Sequence, residues 1–153
     1  MMTGLAHRQA AAPQGAGRQV EVCVLRRAPT TLPDVRHWAR VQFEAWHVPA
    51  DALQEAELVF SELVSNVVLH GYGDVVSCRI EAGAADLHIE IREHVVREGA
   101  HTAAPPPDTR SDDEHGRGLL LVEALSSDWG VAPTLPGPDG CRRVWARIGL
   151  ADR

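Results

Sequence analysis

Apolar and polar positions change period several times along the 153-residue chain, and each change predicts an element. Val20–Leu25 (VEVCVL) is short, β-branched and apolar, which predicts a first strand. From Pro33, the positions Val35, Trp38, Ala39, Val41, Gln42 and Trp46 recur at spacings of three and four. They predict a helix that ends near His47, before Pro49. Asp51 is a good N-cap for a second helix, in which Leu53, Ala56, Leu63 and Val67 mark one apolar face, helped by Val59, Phe60 and Val64. That helix stops at Gly71. The period then becomes two. Val75–Ala82 and Asp86–Arg92 predict an antiparallel hairpin, with Leu87, Ile89 and Ile91 on a buried face and His88, Glu90 and Arg92 on the other. Residues 93–115 lose all periodicity and carry Pro105-Pro106-Pro107 and the acids Asp112, Asp113 and Glu114, as a lid or a disordered segment does. Gly116-Arg117-Gly118 opens a short apolar helix. Trp129–Val131 and Arg142–Ile148 read as final strands around a hairpin loop at Pro133–Gly140.

This order predicts an α+β fold, a two-layer sandwich with a mixed, mostly antiparallel sheet and helices on one face. Residues 1–18, rich in Ala, Gly and Gln, read as a disordered tail, and 19–150 as a single domain. Composition narrows the function. The net charge is −6, so nucleic acid is a poor partner, since phosphate binding leaves a basic footprint. All 15 bases are Arg, which excludes a Lys nucleophile or a P-loop Lys. Cys23, Cys78 and Cys141 form no CxxC pair and read as reduced thiols. No apolar run has a membrane span's length, and the start lacks a signal peptide's apolar core, so the expectation is a cytoplasmic protein.

Three features could carry chemistry. Glu62, Asn66 and His70 lie at i, i+4 and i+8, on one face of the second helix. The stripe either faces water or holds a hard cation such as Mg²⁺, which pairs one or two protein oxygens with substrate phosphates. Gly116-x-Gly118 is either a plain loop-to-helix turn or a place where backbone amides meet a phosphate. Glu93, at a strand end beside the long loop, is either a solvated acid or an acceptor for an amino group such as that of adenine. Arg142 and Arg143 either touch phosphate or flank a strand. Trp38, Trp46, Trp129 and Trp145 read as core. There is no HExxH and no GxSxG.

Glu62-Leu63-Val64-Ser65-Asn66 with His70-Gly71 resembles the asparagine box of the histidine-kinase-like (GHKL) ATPase superfamily, most closely its anti-sigma-factor serine/threonine kinase branch. Glu114-His115-Gly116-Arg117-Gly118-Leu119-Leu120-Leu121-Val122 is similar to that branch's second glycine box. Asp128-Trp129-Gly130 and Val144-Trp145 follow in the same order, so the likeness spans about residues 20–149. The resemblance implies an ATP-binding sandwich with Mg²⁺ and a lid at about 94–115. It implies that Asn66 ligates Mg²⁺ and that Glu62 is the general base toward a partner's serine. The amides of Gly116, Arg117, Gly118 and Leu119 would hold the phosphates, and Glu93 would take the place of the Asp that binds the adenine amino group. The implied partners are a sigma factor and a small anti-sigma-factor antagonist, and the implied assembly is a homodimer. The sequence departs from the pattern at Glu93-His94-Val95-Val96-Arg97, where the family has Asp-x-Gly-x-Gly, and at Arg142-Arg143, where it has a small polar pair. These departures favour the alternative, a module of the same fold that sequesters a partner without ATP turnover.

Overall fold

The computed structural model describes residues 5–10, 17–95, 113–132 and 141–150. Its elements are β1 (Leu5–Ala10), β2 (Gln19–Arg26), α1 (Leu32–Ala45), α2 (Ala50–His70), β3 (Val75–Ala82), β4 (Asp86–His94), α3 (Asp113–Leu125), β5 (Asp128–Ala132) and β6 (Cys141–Gly149). The strands form one six-stranded sheet in the order β1-β2-β3-β4-β6-β5. Every neighbouring pair is antiparallel, so the mixed sheet expected from the sequence is antiparallel among the described residues.

The period-two pattern sorts the sheet into two faces, because directly opposed residues share a face. One row, Cys23, Cys78, Ile91, Val144 and Val131, runs across five strands on the helix side. A parallel row, Leu25, Val76, Glu93 and Arg142, places a carboxylate on that same apolar side. The helices cover this face. The helix α2 packs on β3, β4 and β6 and is flanked by α1 and α3. It buries Ala52, Ala56, Val59, Phe60, Leu63, Val64, Val67 and Val68, the face its apolar spacing predicted plus its neighbours. Phe43 and Phe60 meet edge to face at 6.5 Å and lock α1 onto α2.

Among the described residues no helix covers the other face. There the acids lie beneath arginines: Glu81 under Arg18 (2.9 Å) and Arg79 (2.7 Å), Glu90 under Arg92 and Arg143 (3.5 Å), and Asp86 beside Arg147 (3.3 Å). Trp145 stands on this side against His88, ring centroids 5.9 Å apart, and so departs from the core role expected for it.

Three expectations need correction. Leu5–Ala10, placed in a disordered tail from composition, forms the edge strand β1 along β2. Ala-rich sequence has weak strand propensity, and here the ladder with β2 overrides it. The strand β4 runs through Glu93, as expected, and on to His94, which belongs to the sheet rather than to the lid. The helix α3 begins at Asp113, so Gly116 and Gly118 lie within it instead of opening it. The central part of the expected lid, residues 96–112, and the hairpin loop 133–140 lie outside the described residues.

Candidate functional site

The stripe on α2 does not face open water. Glu62, Asn66 and His70 are all half-buried, and Glu62 lies on the flank that meets α3. The Oε2 atom of Glu62 lies so close to Gly118 that a Cβ built there would sit 2.5 Å from it. Gly118 is therefore the place where α3 makes room for the Glu62 carboxylate. One turn further along α2, the Asn66 Oδ1 atom is buried and has no hydrogen-bond partner among the described residues. A bare buried amide oxygen costs on the order of 1–3 kcal/mol, which a ligand that bonds it would recover. Such an oxygen is the donor type that a hard cation takes, and an Mg²⁺ shared with phosphates needs only one or two protein ligands. The residues present thus fit that ion, although no cluster of three or more His, Cys, Asp or Glu exists among the described residues.

Glu93 occupies the far end of the same layer. It is 1% exposed, on β4, with its side chain turned to the helix side of the sheet. Its Oε1 accepts from the backbone N–H groups of both Tyr72 and Gly73, two successive amides in the loop after α2. Its Oε2 is buried without a partner among the described residues. The reach of the glutamate side chain is thus used in part to hold this loop.

The glycines of the loop are fitted to that carboxylate. A Cβ on Gly71 would stand 2.7 Å from Glu93 Oε1, and one on Gly73 would strike Glu93 Cγ. Gly71 has φ −74° and ψ 170°, an extended conformation open to any residue, so it ends α2 for reasons of space and not of handedness. The sequence marked Gly71 as a helix stop and as the end of the asparagine-box likeness, and Tyr72-Gly73-Asp74 only as a turn. The partner lies 20 residues downstream, and only the β3–β4 register brings it there.

The phosphate-binding candidates are placed differently from expectation. The first four N–H groups of a helix lack intrahelical partners, so the free amides of α3 are those around Asp113, before Gly116, Arg117, Gly118 and Leu119. Arg143 lies on the open face and pairs with Glu90, away from Glu93, while Arg142 stands opposite Glu93 in register. A groove of about 520 Å³ opens elsewhere, between α1 and α2, lined by Arg36, His37, Arg40, Glu57 and Leu58 among others; none of the candidate residues lines it.

Titrating groups nearby are shifted by burial. The His94 imidazole, bonded to Ser77 Oγ at 2.9 Å, is held below its ordinary value by burial first and by Arg92 next, with Glu93 opposing. Burial pushes the Cys78 thiol well above its ordinary value, and Cys23 directly across the strands adds to this.

A helix layer on an antiparallel sheet, with a buried asparagine oxygen and a glutamate on one helix flank, makes this a two-layer α+β sandwich with a polar stripe inside it. The sequence profile of the histidine kinase-like ATPase domain matches residues 25–144, and the chain belongs to that family. In fold it is similar to a chain of the solved SiaB–SiaC complex from Pseudomonas aeruginosa, with a TM-score of 0.52 and 18% identity over 80% of this chain and 85% of that one. No curated protein matches the chain. Among the described residues no helix is long and apolar enough to cross a membrane.

Proposed function

We propose that the protein binds Mg-ATP and acts as an anti-sigma-factor serine/threonine kinase, with a small antagonist protein as phosphoacceptor and a sigma factor as its second partner. The observation that carries this reading is the buried, unpartnered Asn66 Oδ1 one helical turn from Glu62. Membership of an ATPase-domain family supports nucleotide binding, and the likeness to a chain from a two-protein complex supports action on a partner. In keeping with the family's habit, the working form is a homodimer in the cytoplasm.

Phosphoryl transfer asks little covalent chemistry of a protein and mostly needs positioning and charge neutralisation. Asn66 would hold the magnesium ion, which when bound offsets the negative charge of the phosphates. Glu62 would accept the serine hydroxyl's proton as the serine oxygen bonds the γ-phosphorus and the bond to the β-phosphate oxygen breaks, releasing ADP. Glu93 Oε2 would accept from the adenine amino group. The amides of α3 at the glycine motif (Gly116, Arg117, Gly118, Leu119) would face the phosphates once the first turn of that helix opens.

That last requirement favours a second reading. With Gly116 and Gly118 inside α3, their amides are engaged in the helix, and a module that only grips a partner would need no opening. Calorimetric titration separates the two. Wild-type protein is expected to bind ATP only with Mg²⁺, Asn66→Ala to lose that binding, and Glu62→Gln to keep binding but lose transfer to serine. Wild-type protein silent to millimolar ATP would leave the partner-binding module.

A further inference from the structure

The cation that organises the adenine end of the site lies outside every motif the sequence offered. Arg27 follows β2 and reaches under the loop after α2. Its Nε donates to the Gly73 carbonyl at 2.5 Å and its Nη1 to the Val68 carbonyl at 3.3 Å. Its own backbone N–H donates to the Asp74 carbonyl at 2.9 Å. The Asp74 N–H in turn donates to the His94 carbonyl at 2.9 Å. One guanidinium thus spans the last turn of α2 and the loop, where a cation also suits the negative end of the helix.

The loop is gripped from both sides. The N–H of Gly73 donates to Glu93 Oε1 while the carbonyl of the same residue accepts from Arg27. Holding the Gly73 carbonyl fixes the Gly73–Asp74 peptide and so restrains the adjoining loop backbone, whose Tyr72 and Gly73 amides hold the Glu93 carboxylate. The free Oε2 is then oriented by default. Val68 lies two residues after Asn66, so the same guanidinium also steadies the helical turn carrying the buried amide oxygen.

From this relay we infer that Arg27 is a positioning residue: it sets the aim of Glu93 Oε2, and so the preference of the site for a purine bearing a 6-amino group. The inference rests on the nucleotide reading above. Arg27 acts through the carbonyls it bonds and not as a ligand of the nucleotide.

The test compares ATP with purine riboside triphosphate, which lacks the 6-amino group, on wild-type protein, Arg27→Ala and Arg27→Lys. Wild type is expected to favour ATP by about tenfold, the size of one hydrogen bond to a charged acceptor. Arg27→Ala is expected to reduce that ratio to about one, with the weaker binding confined to ATP, while Arg27→Lys, a point charge without the fork, restores less than half of it on a logarithmic scale. In nucleotide-free protein the Tyr72 and Gly73 amides are expected to exchange faster in Arg27→Ala than in wild type, with the amides of β3 unchanged. A lowered melting temperature with an unchanged ATP preference would overturn the inference, as would unchanged exchange at Tyr72 and Gly73. Wild-type protein that binds both nucleotides equally would instead sink the adenine role of Glu93, and the inference with it.

Discussion

At the scale of single residues, the site depends on contacts that leave no room. Gly118 shows how such a contact separates function from stability. Replacing it with Ala removes a helix-interior glycine, worth up to about 1 kcal/mol of helix propensity. The added Cβ would meet only the end of a flexible side chain, Glu62 Oε2, which can swing aside. The expected result for Gly118→Ala is unchanged or slightly higher resistance to urea, together with at least a tenfold loss of phosphotransfer because the displaced Glu62 no longer meets the serine hydroxyl. A loss of stability with transfer intact would mean that Glu62 has no role at its observed position. That Glu62 and Asn66 share one face of α2 was legible from spacing, because helical period is a local property, although spacing left open whether that face met water. Arg27 was not, because its role depends on carbonyls 41 and 46 residues away.

At the scale of elements, the joint between α2 and β3 governs the site. Gly71→Ala should cost about 1–3 kcal/mol by chemical denaturation, since its Cβ would press on the Val67 carbonyl, which belongs to a rigid helix end, as well as on Glu93. An Asn at the same position, chosen to favour a left-handed helix stop, should give no recovery, because the φ of −74° asks for none. The strands and helices themselves were largely readable. The alternation in DLHIEIR and the apolar face of α2 reflect burial on one side, which is what periodicity measures. Element ends were less so. The helix α3 gained a turn through Asp113, Glu114 and His115, because acids suit a helix N-terminus better than a count of apolar positions reveals. The strand β1 was missed because its only partner is another strand's edge, and an alanine-rich segment carries no pattern that announces pairing.

For the whole molecule, the uncovered sheet face sets the response to pH. His88 and His94 both stand on it, and burial is the largest cause holding each below its ordinary value. The unfolded chain therefore binds protons at higher pH than the folded one does. Stability contributed by the neutral imidazoles is present above about pH 6.5 and is lost as pH falls toward the lower folded values. Urea midpoints measured from about pH 7.5 down to 5 should decline, and a His88→Gln, His94→Gln double variant should flatten that decline. A wild-type midpoint that holds steady or rises over this range would refute the assignment. The anchoring of Glu93 reaches further, into how this chain could drift over generations. Its carboxylate is joined to the fold through the loop amides, so losing it would unmake the protein, whereas losing Asn66 would relieve a buried oxygen of its missing partner. Descendants under no demand from a ligand should therefore keep Glu93 as a fossil while Asn66 erodes. A glutamate preserved at this position is on its own poor testimony that a relative still binds ATP.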